Sequence, residues 1–402
     1  MRNRKGKWLK GWGRIVLLLC VLSPSARAYT LLPSEMKGWS WFQSTVLAGI
    51  GQPSKDLGVD LLLPVPNSRK ELPIRFWKSA QPNTKGLFLI LPGTGGGASS
   101  GISNVLAELV ASLGYDSLVL ANPFSPEFQK SFSADGLVGL PQKDAVDAHR
   151  MFEAAVELYR HNRGQPRKLF LMGSSLGGLY AILENGQSPA LPFDKLIALN
   201  PPVSLNYAMD RLDDMIRLSL RNADSVPDLH FELIWAYLQA QEGISREGVE
   251  AIRMFLPAEE EKGQKVIGES FQQSLKAITR GLFAAYPDFF SGERRGRVEA
   301  SLRSVTFEKY IVYAGAALDG RGRTSTNFSA LIQGAGLNRA LKNTRNSKIH
   351  VITSVDDFLL RPRDLASLEE TLGSRLHVFE AGGHCGNYWT ASFKKTLAGI
   401  LR

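Results

Sequence analysis

The sequence predicts an α/β protein with a mostly parallel central sheet, helices on both faces of that sheet, and an inserted helical cap. Three observations lead to this fold class. Short apolar runs alternate with helical patterns, which is typical of a parallel sheet covered on both faces. A stretch of roughly 140 residues separates the last two runs from the others. One run leads directly into a Gly-x-Ser-x-Gly turn and a further helix.

Seven short apolar runs are predicted to form the strands of this sheet. They are bounded by Gly, Pro, Asn or Asp and are too short for helices. Helical patterns at Ile102–Leu113 and Asp144–Tyr159 separate some of these runs, and a last helix is predicted at Tyr388–Leu401. In chain order the predicted strands are Leu72–Phe76, Leu87–Leu91, Ser117–Ala121, Lys168–Met172, Lys195–Leu199, Ile349–Thr353 and Leu376–Phe379.

Residues 203–346 are predicted to form a helical cap, or lid, inserted between the two parts of the core, 29–202 and 347–402. Because a loop of roughly 140 residues does not occur in a compact domain, this segment must carry structure of its own. Its pattern is largely helical, and most of its many aromatic residues are interpreted as its own core. The clearest helical patterns are Leu229–Gln239, Arg246–Phe255 and Glu269–Ala285.

Residues 1–28 have the three parts of a secretory signal peptide. A cationic start is followed by the uncharged run Ile15–Leu22 and then by the small-x-small triplet Ala26-Arg27-Ala28. This apolar run is too short to span a bilayer as a helix, which needs about 20 residues. The sequence therefore predicts export to the periplasm, the cell surface or the medium, and an uncleaved anchor is the alternative.

The charge distribution argues against a nucleic-acid-binding protein. The formal net charge is +10, but residues 1–28 hold seven basic side chains and no acidic one. The rest of the chain has 41 basic and 38 acidic residues, so the basic bias belongs mostly to the targeting segment. The two cysteines, Cys20 and Cys385, cannot support a disulfide framework or a cysteine-based zinc site.

The strongest chemical signal is Ser175, at the centre of Gly173-Ser174-Ser175-Leu176-Gly177 after a predicted strand. A strand that turns sharply into a helix strains the backbone at the turn, and glycines on both sides avoid clashes of Cβ atoms. The turn lifts the hydroxyl away from the sheet and places it at a helix start, where free N–H groups favour negative charge. Ser175 is therefore the predicted nucleophile, and a Gly-Ser loop without chemistry is the alternative.

A serine nucleophile needs a base, and the base needs an acid that orients it. Among six histidines, His384 is favoured because it follows the last strand in a glycine-rich loop that can bend its ring toward the carboxyl edge of the sheet. Asp356 and Asp357 follow the preceding strand at the same edge. Asp357 is favoured as the acid because apolar residues and then Pro362 come after it, and Asp356 stays as the alternative.

The oxyanion formed in acyl transfer needs two backbone N–H groups that point at one position. Leu176, the residue after the nucleophile, is predicted to supply one of them. Thr94, in the glycine loop that follows the strand Leu87–Leu91, is predicted to supply the other. A phosphate-binding loop is excluded because this loop has neither the G-x-x-x-x-G-K-[ST] nor the G-x-G-x-x-G pattern.

The order of glycine-rich loop, Ser in G-x-S-x-G, Asp and His, each after a successive strand, resembles the α/β-hydrolase superfamily over roughly residues 70–202 and 347–402. The Asp356-Asp357 pair followed by Gly382-Gly383-His384-x-Gly386 is similar to a branch with many predicted esterases and lipid-ester hydrolases. Two positions depart from that pattern. Pro92-Gly93 replaces the more usual His-Gly pair, and Phe358 stands where that branch often has Pro.

The resemblance implies an exported serine hydrolase that cleaves a carboxylic ester, including a lipid ester, through an acyl-enzyme on Ser175. It implies no metal or organic cofactor. The expected partner is a small-molecule or lipid ester, not a nucleic acid, and a lipid substrate would bring transient contact with a membrane surface. The cap stands where such enzymes carry the lid that sets substrate choice. The acyl and alcohol groups and the oligomeric state are left open.

Three other functions stay open on the sequence alone. An acyltransferase would use the same residues with an alcohol or amine in place of water. A peptidase is less favoured because nothing in the sequence indicates a peptide-binding site. A non-catalytic binding protein with the same fold is the alternative that is not an enzyme. The complete set of Ser175, Asp357 and His384 argues against it.

Overall fold

The computed structural model has a nine-stranded sheet at the centre of the described part of the chain. It describes residues 29–53, 57–221, 253, 256–287, 300–319, 336–342 and 348–402. The strands are β1 (Leu31–Leu32), β2 (Val59–Pro64), β3 (Glu71–Trp77), β4 (Leu87–Leu91), β5 (Asp116–Val119), β6 (Leu169–Ser174), β7 (Lys195–Leu199), β8 (Ile349–Ser354) and β9 (Leu376–Phe379).

The strands follow the order β1-β9-β8-β7-β6-β4-β5-β3-β2 across the sheet. Among these neighbours only β2–β3 and β3–β5 are antiparallel, so the predicted mostly parallel sheet is confirmed. The order reverses between β4 and β6, because the chain continues to β5 on one side and through β7, β8 and β9 on the other. The carboxyl ends of β4 and β6 therefore meet at a topological switch point, the edge where ligands bind in open α/β sheets.

Helices cover both faces of the sheet, as the alternating pattern predicts. Successive side chains of β4 belong to opposite cores, with Leu87, Leu89 and Leu91 on one face and Phe88 and Ile90 on the other. The described helices are α1 (Trp41–Ile50), α2 (Gly101–Ser112), α3 (Pro126–Ser131), α4 (Pro141–Arg163), α5 (Leu176–Leu183), α6 (Leu205–Arg221), α7 (Glu260–Ala285), α8 (Phe307–Asp319), α9 (Leu337–Lys342), α10 (Pro362–Leu372) and α11 (Ala391–Ile400). None of them has the length and apolar character needed to cross a bilayer.

All seven predicted strands occur, with ends that differ from the prediction by at most two residues. Sequence patterns did not indicate β1, β2 or α1. β1 has two residues, and β2 lies at the sheet edge, where Val59 and Leu62 are exposed and give no inward-facing alternation. α1 is apolar and buried around most of its circumference, so it lacks the amphipathic period by which a helix is recognised.

The described part of the predicted cap is helical. The predicted helix Glu269–Ala285 is found as the longer α7, which packs so closely on α6 that a Cβ atom on Gly268 would lie 2.2 Å from the Met215 carbonyl oxygen. The pattern Leu229–Gln239 and most of Arg246–Phe255 lie outside the described residues. Residues 1–28 lie outside them too, so the signal peptide stays a prediction, as does the division into core and cap.

Candidate active site

Ser175 occupies a strained turn between β6 and α5. Its φ of 52° and ψ of −125° are a backbone conformation that residues other than glycine rarely adopt. The turn closes through two hydrogen bonds: the Ser175 N–H donates to the Leu199 carbonyl over 2.8 Å, and the Gly178 N–H donates to the Ser175 carbonyl over 2.9 Å. The turn therefore holds Ser175 at the carboxyl edge of the sheet, next to the end of β7.

The glycines on both sides of the turn have no room for a side chain. A Cβ atom on Gly173 would lie 2.1 Å from the Gly177 carbonyl oxygen, and one on Gly177 would lie 2.3 Å from the Pro92 carbonyl oxygen. These obstacles are backbone atoms, which cannot rotate aside as a flexible side chain can. The close packing brings the loop after β4 against the serine turn.

Gly177→Ala is expected to destabilise the protein by about 3 kcal/mol, because overpacking of a rigid site costs about 1–3 kcal/mol or more. The thermal unfolding midpoint, followed by circular dichroism, measures the effect. Gly186→Ala is the matched control, since a Cβ atom there meets nothing within 4 Å. Equal midpoints for the two variants would contradict the steric account of this turn.

Asp357 and His384 are in direct contact. His384 Nδ1 lies 3.0 Å from each carboxylate oxygen of Asp357, and both side chains are buried. Asp356 points to a different partner: its oxygens accept the N–H groups of Gly382 and Gly383 over 3.2 and 2.9 Å. The structure therefore places Asp357, not Asp356, against the imidazole. Asp356 instead holds the backbone of the loop that carries His384.

The surroundings of His384 favour its charged form. Burial opposes an imidazolium, but the Asp357 carboxylate and, next, the Cys385 sulfur outweigh burial and hold the pKa of His384 above its ordinary value. A hydrogen bond from Nδ1 to Asp357 also requires the proton on Nδ1, which leaves Nε2 of the neutral ring as an acceptor. This is the tautomer that a general base needs.

Nε2 of His384 is buried, and in this structure it has no hydrogen-bond partner among the described residues. Ser175 Oγ and His384 are therefore not hydrogen-bonded to each other in this structure. The loop that carries His384 nevertheless lies near the Ser175 turn. The Gly383 carbonyl oxygen is 3.4 Å from Asn200 Nδ2 at the end of β7. β7 is the strand that pairs with β6, and Ser175 directly follows β6. Contacts of this kind often tighten only when substrate binds.

The predicted oxyanion loop passes directly over Ser175. A Cβ atom on Gly93 would lie 3.3 Å from Ser175 Cβ, and the loop is fixed by Asn122 Nδ2, which donates to the Pro92 carbonyl over 2.7 Å. Thr94 and Leu176 line the same cavity as Ser175. Among the described residues, neither the Thr94 N–H nor the Leu176 N–H donates to a protein acceptor. Both groups are therefore available for an oxyanion.

An apolar cavity opens above Ser175, between the carboxyl edge of the sheet and helices α6 and α8 of the predicted cap. Of its described lining residues none carries a charge, and most are aliphatic or aromatic. The predicted core contributes Thr94, Phe124, Gly139, Pro141, Ser175, Leu176, Tyr180, Pro202 and Leu359, and the predicted cap contributes Leu205, Ala208, Met209 and Leu212 of α6 and Phe307, Tyr310 and Ile311 of α8.

The two tyrosines of the cavity direct their hydroxyls away from it. Tyr180 donates to Asp144 Oδ2 over 2.9 Å, and Tyr310 donates to the Val138 carbonyl over 2.6 Å. Burial raises the pKa of Asp144 to about 7, against hydrogen bonds from the Gly139 N–H and from Tyr180 that favour its charged form. Both tyrosine hydroxyl hydrogens are therefore engaged by protein acceptors.

A buried carboxylate joins α6 and α8, the described helices of the predicted cap that line the cavity. Asp213 on α6 accepts the N–H groups of Phe307 and Glu308 over 2.6 and 3.0 Å at the first turn of α8. These are N–H groups that a helix start leaves without partners, and a carboxylate there is also favoured by the helix dipole. The contact fixes α8 against α6, so the two helices form one wall of the cavity.

The chain order of the site decides the fold. A serine turn joins β6 to α5 beside the switch point of a mostly parallel sheet, and the acid and the histidine follow β8 and β9 in the order Ser, Asp, His. The chain has the α/β-hydrolase fold. The resemblance predicted from the sequence is thus confirmed at the level of the fold.

Several solved structures with the α/β-hydrolase fold match most of the chain at low identity. An esterase of Pyrococcus furiosus is 13% identical, with a TM-score of 0.45 over 86% of this chain and 89% of that chain. A thioesterase domain from the curacin biosynthetic pathway is 13% identical, with a TM-score of 0.39 over 86% and 99%. An acylaminoacyl peptidase of Pyrococcus horikoshii is 12% identical, with a TM-score of 0.41 over 84% and 39%. No protein-family model and no curated protein sequence matches the chain.

Sequence reasoning missed two supports of this candidate site. Thr45 on α1 accepts the His384 N–H over 2.9 Å, and the α1 backbone approaches so closely that a Cβ atom on Gly383 would lie 2.2 Å from the Trp41 carbonyl oxygen. No local signal links α1 to this loop. Asn200 contacts Asp357, and its position directly after a predicted strand, the criterion used for Asp357 and His384, could have indicated it.

Proposed function

We propose that this protein is a serine hydrolase that cleaves a carboxylic ester, with Ser175 as nucleophile, His384 as general base and Asp357 as the orienting acid. The observation that carries the proposal is the buried contact between His384 Nδ1 and Asp357, with Nε2 lacking a partner among the described residues. It lies at the same sheet edge as the strained Ser175 turn. A nucleophile, a base and an acid in these relative positions support acyl transfer.

The reaction follows from these positions. His384 Nε2 takes the proton of the Ser175 hydroxyl as Oγ attacks the ester carbonyl carbon. The Thr94 and Leu176 N–H groups bind the oxyanion, and Asp357 stabilises the imidazolium. Collapse of the tetrahedral intermediate breaks the bond to the alcohol oxygen, which receives the proton from His384. Water, deprotonated by the same ring, then attacks the acyl-enzyme carbonyl carbon. Collapse of this second intermediate breaks the bond to Ser175 Oγ, which receives the proton from His384, and the carboxylic acid is released.

The cavity supports an uncharged, apolar group on the substrate. Its described lining has no charged side chain, so a buried charge there would lose hydration without gaining a partner. Carboxylic esters with aliphatic acyl chains, including lipid esters, match this lining through burial of apolar surface. We include the α6–α8 wall in the proposal as the part of the cap that contacts the acyl chain.

The proposal predicts that purified wild-type protein is labelled by a fluorophosphonate probe and hydrolyses p-nitrophenyl esters with straight acyl chains. The panel should contain graded chain lengths and, as a matched substrate, an ester of equal length whose chain ends in a carboxylate. We expect kcat/KM for the charged ester to be lower by about 100-fold, because its carboxylate would be buried without a partner. Mass spectrometry of the products separates hydrolysis from acyl transfer when an alcohol is added.

Absence of labelling and of turnover on every ester would contradict the proposal and favour a binding protein on the same fold. Labelling with equal turnover of the charged and apolar esters would leave the nucleophile in place but contradict the role of the cavity. Transfer to the added alcohol in preference to water would identify an acyltransferase.

A further inference from the structure

We infer that Asn200 is a positioning residue of this site: its amide fixes the Asp357 carboxylate and the loop that carries His384. The inference rests on the proposed function, because it concerns the base and the acid of that reaction. Asn200 is a fourth side chain, on a different strand, that the geometry of Asp357 and the His384 loop depends on.

Asn200 contacts the acid and the loop that carries the base. Its Nδ2 lies 2.9 Å from Asp357 Oδ2 and 3.4 Å from the carbonyl oxygen of Gly383, the residue before His384. Its Oδ1 lies 3.4 Å from the hydroxyl of Tyr388, which donates to it. The amide nitrogen of Asn200 therefore donates to the loops that carry Asp357 and His384, and the amide oxygen accepts from the segment after His384.

The backbone of Asn200 connects the same site to Ser175. Asn200 follows β7 directly, and its N–H donates to the Ile352 carbonyl of β8 over 2.8 Å. The preceding residue, Leu199, accepts the Ser175 N–H over 2.8 Å. Asn200 thus lies between the serine turn on one neighbouring strand and the acid on the other.

The local conformation explains why an asparagine stands here. The φ of Asn200 is 49°, in the left-handed region that asparagine and glycine tolerate better than other residues. Asn200 is also 3% exposed, so its polar atoms must find partners inside the protein. Glycine would suit the backbone but lacks the amide, and aspartate would suit the backbone but has no N–H donor.

The amide acts on the charge of Asp357 as well as on its orientation. Asp357 Oδ1 accepts the Leu359 N–H over 3.0 Å, and Asn200 supplies the donor for Oδ2. These donors stabilise the carboxylate and spread its charge, which moderates its attraction for the imidazolium of His384. The other titratable groups around the ring are Asp356, Cys385 and Tyr388, and none of them contacts Asp357 by a hydrogen bond among the described residues.

The test compares Asn200→Gly and Asn200→Asp with the wild type by the pH dependence of kcat and KM on the best ester. Asn200→Gly keeps the backbone conformation and removes the amide, and we expect kcat to fall by about 10- to 100-fold, the loss for one hydrogen bond to a charged group. KM should change little, because Asn200 does not line the cavity. The acid limb of kcat/KM should move to higher pH, since a less stabilised Asp357 favours the imidazolium.

Asn200→Asp places a second carboxylate beside Asp357, so we expect a larger fall in kcat and a larger upward shift of the acid limb. Asn67 provides the matched control, because it also has a positive φ, of 59°, but lies exposed in the turn between β2 and β3. Asn67→Gly and Asn67→Asp should leave kcat and the pH profile at wild-type values.

Two results would overturn the inference: unchanged kcat in the Asn200 variants, or a fall in kcat with the acid limb at the wild-type pH, which indicates a merely structural role. Near-ultraviolet circular dichroism and the thermal unfolding midpoint of each variant establish that it is folded. If the wild type itself is neither labelled nor active, the proposed function fails and the inference fails with it. A labelled, active wild type with insensitive Asn200 variants refutes the inference alone.

Discussion

Replacing Ser175 with alanine should lower kcat on the best p-nitrophenyl ester by a factor on the order of 10⁶. The reason is that the hydroxyl of Ser175 forms the covalent intermediate, and the neighbouring base and oxyanion groups have no other nucleophile to act with. The variant should also lose fluorophosphonate labelling entirely. Steady-state kinetics and mass spectrometry of the labelled protein measure both effects.

Ser174→Ala is the matched control for this result. Ser174 is the adjacent residue, is also buried, and its hydroxyl makes one long contact of 3.5 Å with the Leu91 carbonyl. Its removal should change kcat by less than about 10-fold, the equivalent of one ordinary hydrogen bond. Turnover by Ser175→Ala at the wild-type rate, or loss of labelling in Ser174→Ala alone, would show that the nucleophile is wrongly assigned.

Asp357→Asn should lower kcat by about 10⁴-fold while leaving the protein folded. An asparagine amide can donate to the ring, so Nδ1 would become the acceptor and the proton would move to Nε2, where it cannot serve as a base. The change also removes the charge that holds the pKa of His384 above its ordinary value. Wild-type kcat/KM should therefore fall as pH drops through this raised pKa, and the acid limb of the residual activity should lie at lower pH in the variant.

Asp356→Asn tests the choice between the two adjacent acids. Asp356 accepts only the N–H groups of Gly382 and Gly383 in the described structure, so its replacement loosens the loop without changing the ring tautomer. We expect kcat to fall by about 10-fold, because the lost hydrogen bonds hold the loop backbone and do not contact the imidazole ring itself. A larger loss in Asp356→Asn than in Asp357→Asn would reverse the assignment of the acid.

The strands and the serine turn could be predicted because their signals are local. A buried parallel strand is a continuous apolar run, and β4, β7 and β9 were recognisable at their full length for that reason. The glycines at 173 and 177 indicate a turn in which Cβ atoms would meet backbone atoms, and the distances of 2.1 and 2.3 Å agree with that steric argument. Asp357 and His384 could be proposed because both follow strands at one sheet edge.

Other parts of the site depend on contacts between distant segments. The sequence favours Asp357 but leaves Asp356 open. The folded chain separates them, because adjacent residues in a turn point in different directions and only one direction leads to the ring. Thr45 supports His384 across 339 positions of sequence, which no local pattern records. The same holds for the cavity, whose lining combines the core with α6 and α8.

The sequence by itself determined the sheet, the strained serine turn and the set of residues that chemistry would require, because each of these follows from side-chain size and polarity over a few neighbouring positions. Tertiary structure decided which carboxylate meets the imidazole, that Asn200 joins the two loops, and that the described lining of the cavity carries no charge. These features arise where the carboxyl ends of different strands lie close together. Their geometry is set by strand order and packing, which short-range sequence patterns do not encode.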